Sequence, residues 1–331
     1  MQNSPYTTGI PAGITIRGVP LSVAYPGKEF WVSNSTTVAH QLPGVMTGSD
    51  TANRDGSYNR PFATIDYALG RCTASRGDVI YVKPNYTQTI ADATSLLLDV
   101  AGVAIIGLGT GTSRPTLTFS AATSNIPLSA ANVAMYNFLF TTVTATTDVA
   151  SLFTVSGTAL ATDFSLQKCE FRDTAATEAI VAVLTDNATA QNLQGLYFAD
   201  NEIISLSDAA TTTTLKIDTA SNRMKLLRNF GTYGVLNDEP CFLKAGAANH
   251  LQFAMGDNIL NKPATESSTE ATFVSGTGTA WTGHCYRNCL WQLDAAAGIW
   301  ITATTKLAFS ENYSPITGAA EKSGLINPAA V

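Results

Sequence analysis

Apolar and polar residues alternate in short runs along the chain from about residue 100 onward, and Gly, Asn, Asp and Thr separate the runs. Such runs predict half-buried β-strands rather than helices. One motif recurs, in which two apolar residues flank a single position and an Asn follows shortly afterwards, as in Leu196-Tyr-Phe198-Ala-Asp-Asn201. The recurring Asn residues are Asn201, Asn229, Asn258, Asn288 and Asn312.

The separation of these Asn residues predicts a solenoid. Successive Asn residues lie 28, 29, 30 and 24 positions apart, and Cys169 takes the corresponding place 32 positions before Asn201. A repeat of this size holds three short strands and their turns. We expect each Asn to take left-handed backbone angles at a tight corner, and its amide to bond the coils above and below in a ladder. The apolar residue after the Asn is expected to begin the next inward-facing strand.

The turn residues favour parallel coils over antiparallel strands. A β-sandwich or a propeller also consists of many short strands, but hairpin signals such as Asn-Gly are nearly absent, and Asp55-Gly56 lies in an early loop. The sequence therefore predicts an all-β fold, a right-handed parallel β-helix with a short N-terminal capping helix and extended arms at both ends. We place the N-terminal arm at residues 1–45, the β-helix domain at 46–312 and the C-terminal arm at 313–331.

The segment before the coils predicts the capping helix. Four apolar residues follow helical spacing there, and Gly77-Asp78 leads into a predicted strand at 79–82. A helix at this place shields the first coil from solvent and from edge pairing. Two further short strands are expected in the N-terminal arm, at 14–16 and 30–32. The residues at helical spacing are Phe62, Ile65, Ala68 and Leu69.

Composition and charge exclude several classes of partner. Charged residues make up 13% of the chain, against roughly 25% in typical globular domains. The net charge is −6 and Lys and Arg do not cluster, so we expect no nucleic-acid partner and no membrane partner. Five Cys residues, an odd and sparse set, do not form a disulfide framework. With no signal-peptide pattern at the N-terminus, they indicate synthesis in a reducing cytoplasm.

Residue patterns typical of metal, nucleotide and hydrolase sites are missing from the sequence. His284-Cys285 and Cys289 lack a second pair of zinc ligands. The glycine-rich segment 107–113 has no Gly-Lys-Ser/Thr and opens no predicted helix. There is no Gly-x-Ser-x-Gly elbow, and the chain has three His residues. We therefore predict no catalytic, cofactor-binding or metal-binding residues, no cofactor, and a protein that is not an enzyme.

Polysaccharide cleavage is the enzymatic alternative, since it needs two facing carboxylates. A stacked acidic row is one reading of Glu170, Glu202 and Glu311, which adjoin the corner position in three coils. Solvated turn residues are the reading that we favour. The late Trp residues are read as packing residues in preference to sugar-stacking ones. The candidate carboxylates are Asp173, Glu178, Asp200, Glu202, Asp257 and Glu311.

One early block carries a family resemblance. Gly48-Ser-Asp, then Arg60-Pro-Phe-Ala-Thr-Ile-Asp-Tyr-Ala and Arg76-Gly-Asp-Val-Ile-Tyr-Val-Lys-Pro resemble the entry segment of pectin-lyase-like β-helix proteins. In that group a Pro-Phe-x-Thr-Ile-x-x-Ala helix precedes a Gly-Asp-x-Ile-x-Val strand. Three later pieces are similar to uncharacterised tailed-bacteriophage proteins from the capsid gene neighbourhood. These pieces are 100–109, 169–173 and the ending from Glu311-Asn-Tyr to Leu325.

The resemblance implies two functions of different classes. The first is a capsid decoration (cement) protein that binds the phage major capsid protein from the capsid exterior and associates with itself as a homotrimer. The second is a tailspike or tail-fibre protein that binds or cleaves host polysaccharide. Low charge, Thr-rich faces and extended arms favour the first. A free bacterial polysaccharide lyase is disfavoured because the sequence shows no signal-peptide pattern.

Overall fold

The chain folds into stacked coils of β-strand. The computed structural model describes residues 15–16, 19–20, 27–34, 46–143, 148–157, 161–173, 180–188, 193–205, 213–233, 241–246, 249–262, 272–276, 281–292, 306–314 and 324–325. Strands β1 (Thr15–Ile16) and β2 (Val19–Pro20) form a separate antiparallel pair. The other strands form three long sheets.

Two of the sheets run the length of the described stack and the third covers its middle part; the strands of each are given in stacking order. The eleven-stranded sheet contains β3 (Glu29–Val32), β4 (Val79–Val82), β6 (Ala104–Gly107), β9 (Ala134–Tyr136), β12 (Ser165–Gln167), β15 (Tyr197–Ala199), β19 (Lys225–Leu227), β22 (His250–Gly256), β25 (Trp281–Tyr286) and β27 (Lys306–Ser310), with β18 (Ser221–Asn222) beside β22. The ten-stranded sheet contains β5 (Thr87–Ile90), β7 (Thr116–Phe119), β10 (Leu139–Thr142), β13 (Glu170–Arg172), β16 (Glu202–Ile204), β20 (Phe230–Thr232), β23 (Ile259–Lys262), β26 (Cys289–Gln292), β28 (Tyr313–Ser314) and β29 (Gly324–Leu325). The six-stranded sheet contains β8 (Ile126–Pro127), β11 (Phe153–Gly157), β14 (Ala182–Ala188), β17 (Thr213–Ile217), β21 (Cys241–Ala245) and β24 (Thr272–Gly276).

From β8 to β26 each coil contributes one strand to each sheet, whereas the coils that hold β3 to β7 have no described strand in the six-stranded sheet. One coil is β11, β12 and β13, and the next is β14, β15 and β16. Successive coils pair in parallel, so Leu166 lies beside Phe198 and Phe171 beside Ile203. Among the described strands of these three sheets, β28 and β29 are the one pair that is antiparallel. The predicted fold class, a right-handed parallel β-helix, is confirmed.

The entry segment also folds largely as predicted. Helix α1 (Ile65–Leu69) begins after Thr64, whose hydroxyl accepts a hydrogen bond from the backbone N–H of Tyr67 and thereby caps the helix. The helix packs against β3 and β4. Strand β3 falls inside the segment that the sequence assigns to an arm, and it pairs in parallel with β4. The boundaries at 45 and 312 remain predictions. Within the described residues, no helix has the length and apolar content needed to cross a bilayer.

The core consists of inward-facing columns of apolar side chains. Because side chains alternate between the two faces of a strand, every second residue of each rung enters the interior. The rings of Phe140, Phe171 and Phe198, on three successive coils, stack with centroids 5.1 and 6.0 Å apart. All three are at most 1% exposed, so the core is continuous along the axis.

The predicted Asn ladder is present. Asn258 Oδ1 accepts hydrogen bonds from the backbone N of Asn229 at 3.0 Å and from its Nδ2 at 2.9 Å. Asn258 Nδ2 donates to Leu226 O and to Asn288 Oδ1. The same pattern continues to Asn312, and Asn201 Oδ1 accepts from the backbone N of Cys169 at the other end. All five Asn residues are buried.

The predicted position of the left-handed residue is wrong by one. The residue before each ladder position has the positive φ, between 48° and 57°, and the Asn itself does not. The physical reason is that the ladder requires each amide to point into the stack. The preceding residue therefore makes the turn and exposes its own side chain. These turning residues are Lys168, Asp200, Arg228, Asp257, Arg287 and Glu311.

Candidate functional site

The six turning residues form a row of charges along one corner of the stack, which we call the corner row. Their signs alternate strictly, from Lys168 on one coil through to Glu311 on the last. Arg228 donates Nε–H and Nη2–H to the two carboxylate oxygens of Asp200, at 2.7 and 2.8 Å. Arg287 makes the same bidentate pair with Asp257, at 2.7 and 2.9 Å.

These pairs decide how two of the candidate carboxylates behave. The guanidinium of Arg228 holds the pKa of Asp200 below its ordinary value, and that of Arg287 does the same for Asp257. A general acid in glycoside hydrolysis needs a raised pKa. Asp200 and Asp257 are therefore arranged as ion-pair partners.

The remaining candidate carboxylates do not form the single acidic row that the enzymatic alternative requires. Glu170 and Glu202 are register partners on β13 and β16, and Glu170 is paired with Arg114 at 3.1 Å and Arg172 at 2.6 Å. Glu311 lies in the corner row, on a different column. Asp173 is buried and accepts a hydrogen bond from Ser205. Glu178 lies outside the described residues.

The residue after each Asn points outward, contrary to the inward position predicted for it. On β20, β23, β26 and β28 these residues are register partners and form what we call the apolar column. Phe230, Ile259 and Tyr313 are 40%, 43% and 48% exposed, and Cys289 lies between Ile259 and Tyr313. Half of the exposed large apolar side chains of the described residues thus lie in one line.

A groove of about 580 Å³ runs over the outer face of the six-stranded sheet. Eight of its fourteen lining residues carry a hydroxyl or an amide group, and Thr154 Oγ1 donates to Asn125 Oδ1 at 2.8 Å. Lys216 and Lys244 are register partners on β17 and β21 and lie at one end of the groove. Lys216 pairs with Asp218 at 3.4 Å, whereas Lys244 has no ion pair among the described residues. Like charges on adjacent strands are ordinarily unfavourable.

The His and Cys residues do not assemble a metal site in the described part of the chain. His284 Nε2 lies 2.9 Å from Ser310 Oγ at the surface, and Cys285 and Cys289 are on consecutive strands, β25 and β26. His250 is fully buried, its Nδ1 lies 2.7 Å from Ser221 Oγ, and its ring packs on Trp281. His40 lies outside the described residues.

The sequence contained a signal for both surface features. The corner row occupies the position before each ladder residue, and the apolar column occupies the position after it. Aligning the repeats on the Asn residues therefore reveals both. The sequence shows no pattern that predicts the groove. Its lining residues come from segments without the repeated Asn, so their alignment between coils is known only from the structure.

Comparisons with known proteins found one relationship, and it concerns the fold. No protein-family model matches the chain. No curated protein matches it either. A solved structure named rhamnogalacturonan lyase is similar over 91% of this chain and 90% of its own, at 12% identity and a TM-score of 0.47.

This finding corrects the prediction that the protein is not an enzyme, because the solved structure that it resembles carries the name of an enzyme. At this identity the likeness concerns the fold alone. No substrate, reaction or catalytic residue is transferred to the chain.

Proposed function

We propose that the protein is a structural component of a bacteriophage virion that binds the outside of the major capsid protein lattice as a homotrimer. The apolar column carries this proposal. Exposed apolar side chains that gather in one patch, rather than lying singly, point to an interaction site, and the column holds half of the exposed large apolar side chains of the described residues. The similarity of three sequence segments to phage proteins from the capsid gene neighbourhood supports the assignment to a phage capsid.

The column has the character of an interface centre. Its aromatic side chains are roughly half exposed, so the patch exposes on the order of 250 Å² of apolar area. A stable interface buries about 800 Å² on each partner. The column therefore supplies the apolar centre, and neighbouring outward positions of the ten-stranded sheet supply the polar rim.

The stack is a rigid support for such a contact. The buried Asn ladder and the core columns join successive coils side by side along the axis. A surface held on regular strands keeps its geometry better than one built on loops. Binding then requires little ordering of the protein itself.

The experiment is co-sedimentation of the purified full chain with undecorated phage heads, followed by electron microscopy. The column variant carries Phe230→Thr, Ile259→Thr and Tyr313→Thr, which removes apolar area from positions that already face solvent. The matched control carries Met46→Thr and Leu251→Thr, two similarly exposed residues elsewhere. Wild type and control are expected to bind at regular lattice positions, and the column variant at least about tenfold more weakly. Absence of wild-type binding, or equal binding by all three, counts against the proposal.

A second function, binding of host surface polysaccharide as part of a tailspike, is favoured by the groove. Its hydroxyl and amide groups match the hydrogen-bonding groups of sugars, and Lys216 and Lys244 match a carboxylate. Alginate serves as an acidic probe and dextran as a neutral one. This function predicts alginate binding that Lys216→Gln with Lys244→Gln abolishes. The matched control is Lys225→Gln, on the eleven-stranded sheet, and oligosaccharide release is assayed in parallel.

A further inference from the structure

The ladder that joins the coils does not by itself determine which coils are neighbours. Every rung from Asn201 to Asn312 offers the same amide, with the same donor and acceptor atoms. The inward columns are also similar from coil to coil, as in Leu166, Phe198 and Leu226. A stack in which one coil is omitted and looped out therefore keeps a complete ladder and an apolar core.

The corner row distinguishes these arrangements. In the native stack every neighbouring pair in the row has opposite signs. If one coil is omitted, its two neighbours come together and always have the same sign, as Lys168 with Arg228 or Asp200 with Asp257. Like charges on adjacent strands are unfavourable, whereas opposite charges stabilise the pairing.

The residue types in the row indicate that charge matters there. Gly and Asn adopt left-handed backbone angles most readily. Neither occurs at the six charged positions, although all six have such angles, and Asn137 takes the equivalent turning position on the coil before Lys168. Charged side chains occupy these positions despite the unfavourable backbone angle.

We propose that the alternating charges of the corner row set the register in which the coils stack during folding, by disfavouring any arrangement that omits one coil. Slow-forming parallel sheets need such a determinant, because repeats with similar cores otherwise pair in wrong registers. The corner row raises the free energy of wrongly stacked forms relative to the native stack. This effect is separate from the stability that its ion pairs give to the native stack.

The test is an exchange of two neighbouring charges, Arg228→Asp with Asp257→Arg. Composition and net charge stay the same, and both residue types already have left-handed angles at these positions. After the exchange the native stack contains two like-charged pairs, whereas a stack that omits any one of the four middle coils of the row contains only one. The control is the fully inverted row, which keeps strict alternation. It carries Lys168→Glu, Asp200→Arg, Arg228→Asp, Asp257→Arg, Arg287→Asp and Glu311→Lys.

The full chain is refolded from denaturant, and a looped-out coil is detected by limited proteolysis with mass spectrometry. One exposed contact changes an equilibrium by about two- to fivefold, so the exchange is expected to raise the share of protease-sensitive product severalfold. The excess should shrink in about 1 M salt, where the screening length is about 3 Å. The inverted row is expected to refold like wild type.

Two outcomes overturn the proposal. One is an exchanged variant whose yield and coil protection equal those of wild type at low salt. The other is an inverted row that gives as much protease-sensitive product as the exchanged variant, because the effect then comes from the size and packing of the side chains and not from their charges. If the exchanged variant does not fold while the inverted row does, the proposal is supported.

Discussion

At the corner that carries the Asn ladder, two consecutive residues of each coil have different roles. A charged residue takes the left-handed angles and faces solvent, and the following Asn enters the stack with a nearly saturated amide. The sequence pattern predicts Asn as the corner residue because Asn tolerates such angles well. In the coils that carry the ladder the Asn does not make the turn, because a turning residue projects outward, whereas on the coil before the ladder Asn137 does make it. The need to bury the amide therefore places the Asn one position after the turning residue.

Replacing an Asn in the middle of the ladder is expected to destabilise the fold strongly. Asn258→Leu removes the side-chain acceptor of the backbone N–H of Asn229 and one of the two acceptors of its Nδ2. It also removes one of the two donors to Asn288 Oδ1 and the amide that donates to the carbonyl of Leu226. A buried group that loses its partner costs about 1–3 kcal/mol, so a loss of about 3–5 kcal/mol in the free energy of unfolding is expected. The measurement is urea unfolding. Asn312→Leu, at the ladder end, is the control and should cost less, and equal losses contradict the ladder account.

Burial of His250 predicts a pH-dependent stability. Desolvation lowers the pKa of His250 to about 4 from an ordinary 6.5. Because the unfolded chain binds the proton more readily, the stability from neutral His250 is complete above about pH 6.5 and is lost as the pH falls towards 4. The loss is about 2–3 kcal/mol.

The measurement for His250 is the free energy of unfolding between pH 7 and pH 4.5, compared with that of His250→Gln. The variant is expected to be less stable at pH 7 and to show a flatter dependence on pH. Carboxylates with lowered pKa values contribute at more acidic pH and are common to both proteins. Identical slopes for the two proteins contradict the assignment.

At the scale of elements, the sequence predicted those whose local pattern is strong. Helix α1, strand β4 and the coil period follow from helical spacing, a Gly-Asp turn and repeated Asn residues. The repeat period places residues about 29 positions apart side by side, but it does not show which face of a strand these residues occupy. This is why Phe230 and Ile259 were expected to face inward. A shift of one residue reverses the face of every side chain in a short strand.

The stacked phenyl rings predict that the coils are coupled through the core. Phe171 lies between Phe140 and Phe198, so Phe171→Ala removes ring contacts to both neighbouring coils. The expected loss is about 3–5 kcal/mol in the free energy of unfolding, measured by thermal or urea denaturation. Phe171→Leu, which keeps most of the volume, should cost clearly less. A loss below about 1 kcal/mol for the alanine variant means that the coils around it are loosely packed.

At the scale of the whole molecule, the outer faces of the sheets differ in chemistry. The six-stranded sheet has the groove with two lysines, and the ten-stranded sheet has the apolar column. The described carboxylates of the candidate set are distributed between a corner, one sheet and the interior. A contact with a protein lattice and a contact with a glycan therefore use different faces, and can be tested separately.

Thiol labelling reports on the column directly, because Cys289 lies within it. Burial raises the pKa of the Cys289 thiol, and it raises that of Cys285 to about 12. In a Cys241→Ser background, Cys289 is expected to react slowly in the free native protein, and Cys285 only after unfolding. Binding to undecorated heads should slow labelling of Cys289 by about tenfold or more. Burial also raises the pKa of the Cys72 thiol to about 12, but Cys72 is partly exposed beside α1, so it is expected to label slowly and at the same rate in free and bound protein. Equal protection of Cys72 and Cys289 indicates unspecific adsorption. An unchanged rate at Cys289 in a bound protein excludes the column from the contact and directs attention to the groove.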